Sequence, residues 1–121
     1  MSIQTVSIPR SPMPDMPLEA DQIIEGSPVS CGLIAMQADD KIMTCGFWEC
    51  TEGKFEWNYS WDEMVHLLEG QVIITEDSGE SRTLNPGDTA RFSPGMKTFW
   101  HITKPIKKMF TIRSPQPIES F

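Results

Sequence analysis

Hydrophobic and polar residues alternate in short runs from about Leu33 onward, and each run stops at a turn residue. In an extended strand every second side chain faces the same way, so alternation predicts strands buried on one face. The runs are Thr44 to Thr51, Phe55 to Tyr59, Glu63 to Leu68, Gln71 to Glu76, Ser81 to Leu84, Thr89 to Ser93, Thr98 to Ile102 and Lys107 to Ile112. Between them stand Glu52-Gly53, Glu69-Gly70, Asp77-Ser78-Gly79-Glu80 and Asn85-Pro86-Gly87-Asp88. In the last of these, proline presets one dihedral and glycine supplies a positive φ. Strands recurring about every ten residues predict an all-β sandwich or barrel. Glu52-Gly53 reads as a hairpin centre, which sets Cys50 opposite Phe55 and Trp48 opposite Trp57.

The pattern before Leu33 is different. Residues 1–30 hold five of the ten prolines, which remove backbone donors and exclude helix interiors. This stretch is predicted to be an extended arm lying across the barrel or across a partner, with one weak helical hint from Leu18 to Ile24. The chain thus divides into an arm, 1–30, and a barrel, 31–121.

Composition narrows the function classes. With 121 residues the chain is long enough for one domain with one core. Seventeen acidic against ten basic side chains give a net charge of −7. That balance argues against nucleic acid or an anionic membrane surface as a partner. Lys104, Lys107, Lys108 and Arg113 read as a solvated strand face. The start of the chain lacks a charged segment followed by an apolar run, so no targeting segment is expected. Three cysteines, Cys31, Cys45 and Cys50, without Cys-x-x-Cys spacing fit free thiols and a cytoplasmic location.

Two segments carry a resemblance. Asp62-Glu63-Met64-Val65-His66-Leu67-Leu68-Glu69-Gly70 resembles the first cupin motif. Leu84-Asn85-Pro86-Gly87-Asp88, followed by Ser93-Pro94-Gly95, resembles the second. The segment Gly46 to Phe55 and the ending Lys107-Lys108-Met109-Phe110 look like one branch of that superfamily. It holds small single-domain cupins grouped with ureidoglycine aminohydrolase and ethanolamine-utilisation cupin domains, many of unknown function. The resemblance implies an RmlC-like cupin, a double-stranded β-helix (jelly-roll) barrel with the N-terminal arm added. It also implies a homodimer, since cupin relatives commonly pair barrels.

Metal cupins present three histidines and a glutamate, a donor set suited to divalent transition metals. Carried onto this chain, the glutamate is Glu63, but the histidine positions fall on Trp57, Tyr59 and Thr98. The expectation is therefore no metal and no cofactor. Alternation also turns His66 away from Glu63 and His101 away from Thr98, so both histidines are predicted on the outer face.

The inner face is predicted to hold Phe55, Trp57, Tyr59, Val65, Leu67 and Trp100, with Trp48 and Cys50 from the preceding strand. One reading is a ligand pocket made of Trp48, Cys50, Trp57, Tyr59, Glu63, Thr98 and Trp100, an apolar wall with a few polar groups. The other is that these aromatics simply fill the barrel. Glu63 needs a partner in either case, because desolvating a lone carboxylate is costly. Tyr59, Thr98, Lys108 or trapped water could serve, and the carboxylate is predicted to be hydrogen-bonded and wet at the pocket mouth. Cys50 lacks a neighbouring base and reads as a core thiol.

Three functions remain open from sequence. The first is a metal-independent cupin binding a small polar metabolite. The second is an enzyme, a ureido or amide hydrolase or a carbohydrate isomerase, with Glu63 and Tyr59 as acid and base. The third is a dimer whose barrel is merely packed.

Overall fold

Two strands are about twice as long as the alternation predicts, and they organise the rest. The computed structural model describes residues 2–121, with eight strands. These are β1 (Ile23–Glu25), β2 (Ser30–Gln37), β3 (Met43–Cys50), β4 (Gly53–Asn58), β5 (Asp62–Glu76), β6 (Ser81–Leu84), β7 (Thr89–Phe92) and β8 (Lys97–Arg113). β5 runs straight through Glu69-Gly70, and β8 runs through Pro105, each joining two predicted strands into one bent strand. Gly70 has φ 84°, and a Cβ there would collide with the Pro105 carbonyl, so only glycine allows the two bends to nest. The register shifts around this point. Buried positions on β5 accordingly change from Glu63, Val65 and Leu67 to Val72 and Ile74.

The bends divide the strands between two facing antiparallel sheets. One has the order β2, β3, second half of β8, first half of β5, β7. The other has the order β1, β4, first half of β8, second half of β5, β6. The result is an all-β jelly-roll barrel.

The hairpin expected at Glu52-Gly53 does not form. Cys50 lies opposite Ser30 and Ile106, and Trp48 lies opposite Gly32 and Lys108. Phe55 faces Trp100 and Trp57 faces Thr98, across β8. The turn carries the chain from one sheet to the other instead. Turn chemistry reports a change of direction, whereas the choice of partner is made by the long strand that both β3 and β4 can bury against.

The stretch expected to lie across the barrel or a partner as an extended arm includes β1 and a short 3₁₀ turn at Ala20–Gln22. Its middle is stitched down by backbone bonds: Gly32 N–H donates to Pro14 O (3.0 Å) and Met16 N–H to Ser30 O (3.1 Å). The Ser30 hydroxyl adds a bond to Met16 O (2.7 Å), and the Gln22 amide donates to Glu56 O (3.2 Å). These bonds hold Met16 to Gln22 over one end of the barrel. None of the helical structure among the described residues is long and apolar enough to cross a membrane.

Candidate functional site

The two ends of the barrel interior differ. Beside the Gly70 and Pro105 bends the space is filled by Leu67, Val72, Leu84, Ile102 and Ile106, all buried. At the other end the sheets enclose a cavity of about 270 Å³. Its walls are mostly aromatic, with Trp48, Phe55, Trp57, Tyr59, Trp61 and Trp100 among them. Met16 to Glu19 and Gln22 from the N-terminal segment, together with Phe121, close its rim. Phe121 packs edge-on against both Trp61 and Phe110.

Five of the seven residues predicted to form a pocket line this cavity: Trp48, Trp57, Tyr59, Glu63 and Trp100. Cys50 and Thr98 do not. Cys50 is buried behind the wall, and its thiol is pushed up to about 12 by desolvation, partly offset by nearby Lys108. It stays a neutral core thiol. Thr98 is fully buried; it donates to Trp57 O (2.8 Å) and accepts from the Trp100 indole N–H (3.1 Å). Its role is to fix the two tryptophans.

Glu63 sits deeper than a pocket-mouth position: it is 4% exposed. One carboxylate oxygen accepts from the Trp61 indole N–H (3.0 Å) and the other from the Lys108 ammonium (3.4 Å). Lys108 is therefore not part of a solvated lysine face. It lies on the inner side of β8 with Ile106, Phe110 and Ile112, opposite Leu67. Its long stem carries the ammonium along the wall to Glu63. The charge also lies 4.8 Å from the ring centroids of both Trp48 and Trp100, within cation–π range.

Tyr59 completes the polar set. Its ring stacks on Phe92 with centroids 4.5 Å apart. Its hydroxyl is buried with no hydrogen-bond partner among the described residues. Its neighbours Thr98 and Trp100 use their donors elsewhere, as described above. Burial, reinforced by the negative charge of Glu63, holds the phenol well above its usual range, so it remains a proton donor.

The two histidines take the outer positions that alternation assigns. His66 bonds Thr89 through Nδ1 (2.9 Å), and His101 stands between Lys54 and Ile73.

Residues 37–110, more than half of the chain, match the EutQ-like cupin domain family. The chain belongs to that family. Solved structures with the same fold include a protein of unknown function in the DUF861 family from Pseudomonas syringae pv. tomato. Its TM-score is 0.77 at 21% identity over 85% of this chain, which spans 45% of that protein's length. A putative ethanolamine utilization protein EutQ from Salmonella typhimurium gives 0.63 at 19% identity, over 70% of this chain and 69% of the other. A DUF861 protein from Thermotoga maritima gives 0.53 at 29% identity, over 55% and 75% respectively. No curated protein matches.

The cupin metal site can be tested against the residues present, and they do not fit it. Tyr59 is held as a neutral phenol and the Thr98 hydroxyl donates to a backbone carbonyl. Glu63 is the one carboxylate on the barrel wall of the cavity, Glu19 standing on its rim, and an ammonium occupies the approach to Glu63. A divalent cation placed there would meet Lys108 rather than further donors. No group of three or more His, Cys, Asp or Glu side chains among the described residues is placed to hold a metal.

Proposed function

We propose that this cupin binds a small molecule in its barrel cavity without a metal ion. The observation that carries the reading is the Glu63–Lys108 ion pair on the aromatic wall of a cavity of about 270 Å³. A barrel whose aromatics were filler would close that space with aliphatic side chains, as the opposite end does. The volume lies just under the usual range for drug-sized ligands, which suits a metabolite. Flat indole walls suit a planar or sugar-like body.

Four of the cavity-lining residues are tryptophans, so occupancy should be visible in intrinsic fluorescence. Titration with ureido acids, amino alcohols and sugars is expected to give a saturable emission change for at least one class. The same compound should raise the melting temperature in proportion to occupancy. Flat emission and unchanged melting temperature for all three classes at millimolar concentration would sink the proposal.

The alternative is an enzyme acting on the same ligand. Its support is the pairing of a neutral phenol, Tyr59, with a carboxylate, Glu63, whose charge reaches it, an acid and a base in one barrel end. Turnover lost in Glu63→Gln while binding persists would decide for the enzyme.

A further inference from the structure

The polar groups around the cavity are unequal in what they still offer. Glu63 has both oxygens engaged, one by Trp61 and one by Lys108. Lys108 has three N–H donors and makes one hydrogen bond among the described residues, to Glu63. Two donors remain, facing aromatic rings that attract the charge but supply no acceptor atom. The Tyr59 hydroxyl, also unpartnered among the described residues, is buried behind the cavity surface and offers no third donor there. A donor on an apolar wall gains from a well-placed acceptor, so a ligand oxygen is favoured there.

We infer that Lys108 is the ligand anchor of this barrel, taking the acceptor oxygens of a small carboxylate whose apolar body lies against Trp48, Trp57 and Trp100. This rests on the ligand-site reading above and narrows it to a class. The Lys108 ammonium stands beside Glu63, the one position of the metal-cupin donor set that this chain keeps. The Lys108 ammonium attracts an anionic head group and repels a competing amine, while Glu63 tempers both effects.

The test uses four ligands of matched shape: benzoate, benzamide, benzyl alcohol and benzylamine. Titration of the wild-type chain by tryptophan fluorescence and calorimetry is expected to rank benzoate first, benzamide second, the alcohol third, and to show no benzylamine binding. Glu63→Gln supplies the decisive sign. It removes the charge that shares Lys108, so benzoate should bind more tightly, by about tenfold. If Lys108 and Glu63 are only a structural pair, the same change leaves benzoate affinity unaltered. If the ligand binds through Glu63, affinity falls.

Lys108→Met alone leaves a buried carboxylate unpaired and is open to misfolding. The double variant Glu63→Gln with Lys108→Met removes both charges and keeps the volume. It should retain native circular dichroism and bind benzoate no better than benzyl alcohol. Benzylamine binding as well as benzoate, or Glu63→Gln weakening benzoate, overturns the anchor. Binding of sugars or amino alcohols without any of the four probes overturns the anchor but leaves the ligand site standing. No binding of any compound, with no thermal shift, overturns both.

Discussion

The two ends of this barrel are built from the same bent strands, yet one is solid and the other hollow. On β8, Ile102 and Ile106 are buried in an aliphatic cluster, the plug, with Leu67 and Val72 beside the bends. Six residues beyond Ile106, Ile112 points into the cavity, beside a lysine, a glutamate and several aromatic rings. Stability and function are thereby separated along one strand. The plug removes apolar area from water, which drives folding. The hollow end forgoes contacts, since a wall atom facing empty space has no partner to pack on. What it gains is a set of groups that packing alone would never select.

Matched truncations should expose the difference most strongly. Ile106→Ala opens a new void in the plug and is expected to cost toward the upper end of about 2–5 kcal/mol. Ile112→Ala only enlarges an existing space and should cost toward the lower end of the same range. Denaturant unfolding of the two variants, with equal slopes, measures both. Equal costs, or a larger cost at Ile112, would mean that the cavity end is as tightly packed as the plug.

A smaller effect, of opposite sign, is expected at Tyr59. Its hydroxyl is buried and unpartnered, so Tyr59→Phe removes a group that the fold leaves unsatisfied while keeping the stack on Phe92. The variant should be more stable by about 1 kcal/mol, seen as a higher melting temperature. A loss of stability instead would show that the hydroxyl has a partner in the fold.

These contrasts were only partly legible in the sequence. Alternation located the inner face well, because burial of one face of a strand leaves a period of two that turns cannot disguise. Trp57, Tyr59 and Trp100 were legible as inward residues on that ground, Glu63 through the cupin motif, and Trp48 only through a hairpin register that does not form. Lys108 obeys the same parity as Phe110 and Ile112, but its charge and its neighbours Lys104 and Lys107 suggested a solvated face. Lys107 really is outward, paired with Glu49 (3.0 Å) and Glu69 (3.5 Å). Parity outranked charge, and the partner that made burial possible was Glu63, 45 positions away. The hollow itself was hidden for a different reason. Its rim comes from Met16 to Gln22 and from Phe121, and no local pattern shows that these distant segments meet. The missing β3–β4 hairpin has the same origin, since a jelly roll sends sequence neighbours to different sheets.

The smallest expected effect concerns how the hollow end is held shut. Asp62 begins β5 at that end, and its carboxylate bonds Arg113 at the close of β8 (2.8 Å) and Arg91 on β7 (3.3 Å). Chiefly through the Arg113 bond, its carboxyl is held below the usual aspartate range. A depressed carboxyl contributes stability that is present above the unfolded value, about 3.9, and is lost as pH falls through the folded one. The pair is exposed, so the global effect is small and is screened by salt. Locally it should be measurable by hydrogen exchange. Lowering the pH from 6 to about 3 should reduce protection at the start of β5 and the end of β8, after correction for the intrinsic exchange rate. Amides near Leu67 and Val72 should hold their protection. Asp62→Asn should remove the local pH dependence while leaving the plug unchanged. Equal loss at both ends would show that acid acts on the barrel as a whole, and that the hollow end has no weaker fastening than the solid one.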